Sequence, residues 1–140
     1  MGTYARLLAG PAVSWLTGIE IWEPYVTTYR LREHYDEIIV GDARLVDWPH
    51  ADVVIMGDVA EHMSIPEAQI LWDKALANAQ RATYLSTPIV HYPQGQPEGN
   101  PHENHVVDDW DHEKVLAAFA GIGDCWRGSE VGVYERRVDR

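Results

Sequence analysis

Three short apolar runs, each meeting an acidic residue at or just past its end, constrain this chain more than any other feature. Ser14 to Trp22 carries Trp15, Leu16, Ile19 and Ile21, with Glu20 near its C-terminal end. Ile38 to Val40 runs into Gly41-Asp42, and Ala51 to Met56 (ADVVIM) runs into Gly57-Asp58. Short runs rich in β-branched and aromatic residues, bounded by turn formers, read as strands. The second and third are largely apolar, which suits strands covered on both faces, as in a parallel sheet.

Amphipathic segments alternate with these runs. Ile65 to Gln80 is the clearest helix. Ser64 and Glu67 make a capping box ahead of it, and Ala68, Leu71, Trp72, Ala75, Leu76 and Ala79 fall on one helical face. Thr3 to Ala9 fits a first helix with Leu7 and Leu8 on its buried side, ended by Gly10 and Pro11. Pro24 opens a second, to about Tyr35, whose apolar face is thin: Val26 and Tyr29 are followed in the row by Arg30 and Glu33. Ala82 to Ser86 reads as a further strand, and His91 to Asp109 as a long polar loop. Asp111 caps a last helix to about Phe119, with Trp110 set to pack on Val115, and Cys125 to Arg127 and Val131 to Arg136 read as a closing hairpin. Repeated strand–helix units predict an α/β sandwich with a mostly parallel sheet.

Composition narrows the function classes. The 140 residues fit one domain, 1–140. Twenty-two acidic against 11 basic residues give a net charge of −11, which repels phosphate backbones and argues against a nucleic-acid partner. No apolar run is long enough to span a bilayer, and the first residues lack a secretory signal pattern. The one cysteine, Cys125, excludes an internal disulfide and points to the cytoplasm.

Ligands of open α/β sheets bind at the C-terminal ends of strands. Glu20 is placed to accept hydrogen bonds from ribose hydroxyls, Asp42 from an adenine amino group, and Asp58 to face a substrate. Acidic residues also follow strands simply as turn formers and helix caps, and each of the three admits that reading alone. Trp22 is placed either to stack beside an adenine or to pack at the strand end.

With these residues in view, the chain resembles the class I S-adenosylmethionine-dependent methyltransferases, in the small-molecule branch called type 11 or 12. Glu20 matches the acidic residue after the second strand, GDA (Gly41 to Ala43) the segment lining the adenine, and GDVAEHM (Gly57 to Met63) the D-x-x-E-H motif after the fourth strand. HENHVVDDW precedes the last helix as in the family, and the terminal hairpin fits its reversed final strands. The resemblance implies a Rossmann-like fold, S-adenosylmethionine as cofactor, and a cofactor site at Gly2, Tyr4, Glu20, Ile21, Trp22, Asp42, Ala43 and Asp58. The family's first strand and glycine-rich loop are the large departure. Gly2 would be the last glycine of that loop, and the expectation is a domain lacking its first, central strand, either a fragment or a misassigned start.

The implied reaction is methyl transfer to a small-molecule or sugar-like acceptor, driven by proximity and orientation. A base is needed only for acceptors that must lose a proton, and His62 and His91 are the candidates, with structural roles as the alternative. His91, His102, Glu103, His105 and Asp108 raise a second function, a metal-dependent hydrolase, but their spacing matches no closed ligand set, and no residue is assigned to a metal. A third reading is a non-catalytic remnant that forms homo-oligomers through the gap left by the missing strand.

Overall fold

The computed structural model describes residues 3–8, 10 and 12–138, which divide at Asp47/Trp48 into two compact units. Gly2, one of the expected cofactor residues, lies outside the described residues.

The first unit holds α1 (Thr3–Leu8), β1 (Thr17–Glu20), α2 (Glu23–Thr28) and β2 (Glu37–Val40). β1 and β2 pair in parallel, Thr17 opposite Glu37 and Glu20 opposite Val40. β1 is shorter than Ser14 to Trp22; Trp15 precedes it and is 64% exposed. The backbone at Leu16 is held to the approach to β2, its N–H donating to Asp36 Oδ2 at 2.7 Å and its carbonyl accepting from Asp36 and Glu37. Gly18 packs tightly: a Cβ there would stand 2.8 Å from Ile38 Cδ1 and 3.0 Å from Tyr35 Cδ1, so those side chains would have to shift. Val26, Leu31 and Ile38 form the core of this unit, with Tyr29 and Tyr35 against it.

Two helix expectations are corrected here. The helix from Pro24 does not reach Tyr35: it ends at Thr28, Arg30 takes a left-handed conformation (φ 52°), and Leu31–Glu33 form a separate 3₁₀ turn. The reason is the thin apolar face, because little burial offsets the cost of continuing past two β-branched threonines. In α1 the buried residue is Ala5, while Leu7 is 74% exposed.

The second unit is a four-stranded sheet in the order β3-β4-β6-β5, from β3 (Ala51–Gly57), β4 (Ala79–Pro88), β5 (Asp124–Arg127) and β6 (Val131–Arg137). β3 and β4 run parallel around the intervening α3 (Ile65–Asn78); β6 is antiparallel to both β4 and β5. The α/β class, the parallel pairs and the antiparallel C-terminal hairpin follow the sequence reading. β3, however, is not covered on both faces along its length, with Val53 42% exposed at its start. Glu67 caps α3 as expected, its Oε2 accepting from Ser64 N–H at 3.0 Å and from Ser64 Oγ at 2.6 Å. α3 buries Ala68, Leu71, Trp72 and Ala75.

Phe119 sits between two indoles, with ring centroids 5.6 Å from Trp72 and 5.7 Å from Trp110. Burial of the Phe119 side chain contributes about 1.5–3 kcal/mol and, with buried Val115, anchors α4 (His112–Ala118). Asp111 caps α4 by accepting from Lys114 N–H at 2.8 Å. Gly132 leaves room for the Tyr134 ring two residues further along β6, whose phenol oxygen would stand 2.6 Å from a Cβ there. Among the described residues no helix is long and apolar enough to cross a membrane.

Candidate functional site

In the first unit the strand ends carry Glu20 and Asp42. Glu20 is half-buried at the C-terminal end of β1, and its Oε1 accepts from Trp22 N–H at 2.7 Å. Its backbone carbonyl accepts from Gly41 N–H at 2.9 Å, so the ends of β1 and β2 are tied together. Ile21 and Trp22 follow, both half-buried, with Trp22 at the N-terminus of α2. Asp42 and Ala43 begin the turn after β2. The Asp42 carboxylate is engaged by its own neighbour: Oδ2 lies 2.6 Å from Arg44 Nη2, and Oδ1 accepts from Arg44 Nε and N–H, each at 2.9 Å. Tyr4 is half-buried in α1.

In the second unit the turn after β3 carries Asp58, Glu61 and His62. Asp58 takes the left-handed conformation (φ 50°) that aspartate tolerates better than most residues. Its N–H donates to the Ser86 carbonyl at 3.0 Å and its Oδ1 accepts from Ser86 Oγ at 2.9 Å, which fixes the turn to the adjacent end of β4. A 3₁₀ turn over Ala60–His62 then directs Glu61 inward to 2% exposure, where its Oε2 accepts from Thr87 Oγ1 at 3.3 Å. Burial is the main cause that pushes the Glu61 carboxyl up to about 8, and the charges of Asp58 and Glu103 add to it.

The long loop is a built platform. The N–H groups of Val106 and Val107 both donate to the Glu61 carbonyl, at 2.8 and 3.1 Å. His105 N–H donates to Gln94 O, and Gln94 Nε2 donates to the Glu103 carbonyl and carboxylate. These bonds set His105 beside His62, ring centroids 4.9 Å apart. His62 Nδ1 lies 3.1 Å from Asn104 O, and His105 Nδ1 lies 2.6 Å from Tyr92 O. A carbonyl only accepts, so both Nδ1 atoms carry a proton, and in a neutral ring this leaves the lone pair on Nε2. Burial pushes the His62 imidazole below its usual value, toward the neutral form.

Among the described residues, Glu61, His62 and His105 place one donor atom each within 4.8 Å of one another. His91 is outside that group; it is exposed, its Nδ1 3.9 Å from Asp108 Oδ1. Glu61, His105, Tyr92, Asp108 and Trp110 also line a crevice too narrow to admit a water molecule. The Trp110 indole N–H is buried and has no hydrogen-bond partner. Sequence reasoning placed Glu61 and His105 in separate segments. The signal for Glu61 was its place in the D-x-x-E-H segment after β3; nothing in the sequence paired His105 with His62, because backbone hydrogen bonds from the loop join them.

No family model matches the chain, and no curated protein matches it. Solved structures do. The O-methyltransferase family 2 protein from Planctomyces limnophilus, crystallised with apigenin, is 14% identical, with 86% of this chain and 42% of that chain covered at a TM-score of 0.57. Magnesium protoporphyrin IX methyltransferase from Synechocystis, with bound SAM, is 16% identical over 91% and 61%, TM-score 0.62. The N-methyltransferase NodS from Bradyrhizobium japonicum is 11% identical over 97% and 79%, TM-score 0.64. The chain spans 42% and 55% of the length of the first two solved structures it matches. At these identities the likeness speaks for architecture, and by it the chain has the fold of the class I S-adenosylmethionine-dependent methyltransferases.

Proposed function

We propose that this chain binds S-adenosylmethionine and takes part in methyl transfer to a small-molecule or sugar-like acceptor. The observation that carries the reading is Glu20, a half-buried carboxylate at the C-terminal end of a parallel strand in a methyltransferase fold. A carboxylate there suits ribose hydroxyls, which can donate to it. Tyr4, Ile21, Trp22, Asp42, Ala43 and Asp58 are the further cofactor contacts that the resemblance implies. Of these, Asp42 must share its carboxylate with Arg44, which favours contact through the neighbouring backbone. The bound cofactor supplies an activated methyl group on a sulfonium.

The chain's own residues then have to position an acceptor and, for a hydroxyl acceptor, move its proton. Nε2 of His62 is the atom suited to that proton, because burial keeps the ring neutral and Asn104 fixes its tautomer. His91, solvent-exposed, is the weaker candidate base. Calorimetry with S-adenosylhomocysteine tests the reading. One equivalent should bind, and Glu20→Ala should weaken binding at least about tenfold, the loss of a charged hydrogen-bond acceptor. Absence of binding by the parent chain, or an unchanged affinity in the variant, overturns it.

A further inference from the structure

We propose that Glu61, His62 and His105 bind a divalent cation of the zinc and manganese class. Two imidazoles and one carboxylate suit such metals, and three protein ligands leave coordination positions open, as in catalytic rather than structural sites. In the sequence, the histidines and carboxylates of the 91–109 loop match no closed ligand set. The structure draws the set instead from the turn after β3 and from the loop together.

Three independent features point the same way. Each histidine donates Nδ1–H to a backbone carbonyl, Asn104 for His62 and Tyr92 for His105. Metal-binding histidines are held in this way, with the second nitrogen fixed and aimed. Next, Glu61 is buried with only hydroxyl and backbone hydrogen bonds, and the charges acting on it, Asp58 and Glu103, are both negative. Buried carboxylates are ordinarily paired with a cation or coordinate one. Last, His62 and His105 are only half-buried, so a cation here has a side toward solvent. Adjacent ligands of a tetrahedral zinc stand about 3.3 Å apart. The three donor atoms lie within 4.8 Å of one another, so binding draws them closer by about 1.5 Å at most.

The site stands on its ligands and needs no methyl transfer. Its consequence for catalysis does rest on the function proposed above. With the cation bound, the Nε2 lone pair of His62 is spent, and the cation takes over the base's task by lowering the pKa of a coordinated acceptor hydroxyl. The O–H bond then breaks with its proton released to water, the oxygen–methyl bond forms, and the sulfur–methyl bond breaks, its electron pair returning to sulfur.

The chain, stripped with a chelator and dialysed, is titrated with Zn²⁺ and with Mn²⁺ by calorimetry. One equivalent of at least one cation should bind, and Glu61→Gln and His105→Gln should each weaken it at least about tenfold. His50→Gln, at an exposed histidine outside the cluster, should leave it unchanged. Nitrogen-15 spectra of the parent protein with Zn²⁺ remove dependence on variant folding. The Nε2 resonances of His62 and His105 should move while their Nδ1 atoms stay protonated. Failure of both cations to bind stoichiometrically, or binding that leaves both Nε2 resonances in place, overturns the site. S-adenosylhomocysteine binding is measured separately on chelated and loaded protein. Metal binding without it removes the methyl-transfer reading and keeps the site; the reverse removes the site alone.

Discussion

Two carboxylates that follow parallel strands have opposite surroundings. Asp42, after β2, is locked to Arg44 two residues on, by an ion pair 2.6 Å long and a backbone bond. Glu61, after β3, is more deeply buried and has Thr87 and backbone groups for partners, with Asp58 and Glu103 as charged neighbours. Position at a strand end is thus a poor guide to what a carboxylate does. The sign of the nearest charge decides whether it is spent on the fold or held in reserve for a ligand.

The sharpest way to break this contrast is the pH dependence of stability. Burial raises Glu61 from 4.5 to about 8, so the folded state holds a proton that the unfolded state releases between those values. Stability of the chelated protein should therefore fall as pH rises from about 4.5 through about 8, by roughly 4–5 kcal/mol at most. Urea denaturation across this range checks it, and Glu61→Gln should flatten the profile. A parent profile that is flat or rises would mean that Glu61 is ionised and balanced by a cationic group.

A smaller effect sharpens the other side. Arg44→Ala should cost about 1 kcal/mol, the value of a partly buried charge-assisted pair, and leave the slope between pH 5 and 8 like the parent's. If the slope changes, the two carboxylates are not independent. Comparable in size, Ser64→Ala removes the hydroxyl that donates to Glu67 at the start of α3, and should lower stability by about 1 kcal/mol in chemical denaturation without altering cation binding. It separates loss of the helix that follows the turn from loss of the turn's own chemistry.

Much of this molecule is legible in its sequence wherever the determinants are local. Ser64 and Glu67 announced the start of α3, and the i, i+3, i+4 row from Ala68 to Ala75 announced its buried face. Asp111 announced α4, and the paired runs around Gly128 the hairpin. The misses share another cause. Leu7 is exposed where Ala5 is buried, and α2 breaks at Arg30, because in short elements tertiary packing outweighs pattern. The cluster of Glu61, His62 and His105 was invisible for a deeper reason. Its residues are brought together by hydrogen bonds from the Val106 and Val107 N–H groups to a carbonyl, groups that nearly every residue possesses.

Those two hydrogen bonds carry a last consequence. They fasten the loop to the residue whose side chain forms part of the crevice wall, and that crevice is narrow. A molecule that needs more room must displace the loop, and displacing it pulls His105 from His62. Widening the crevice and dismantling the histidine pair are therefore one motion. The exchange rates of the Val106 and Val107 amides with solvent deuterium record how often it occurs.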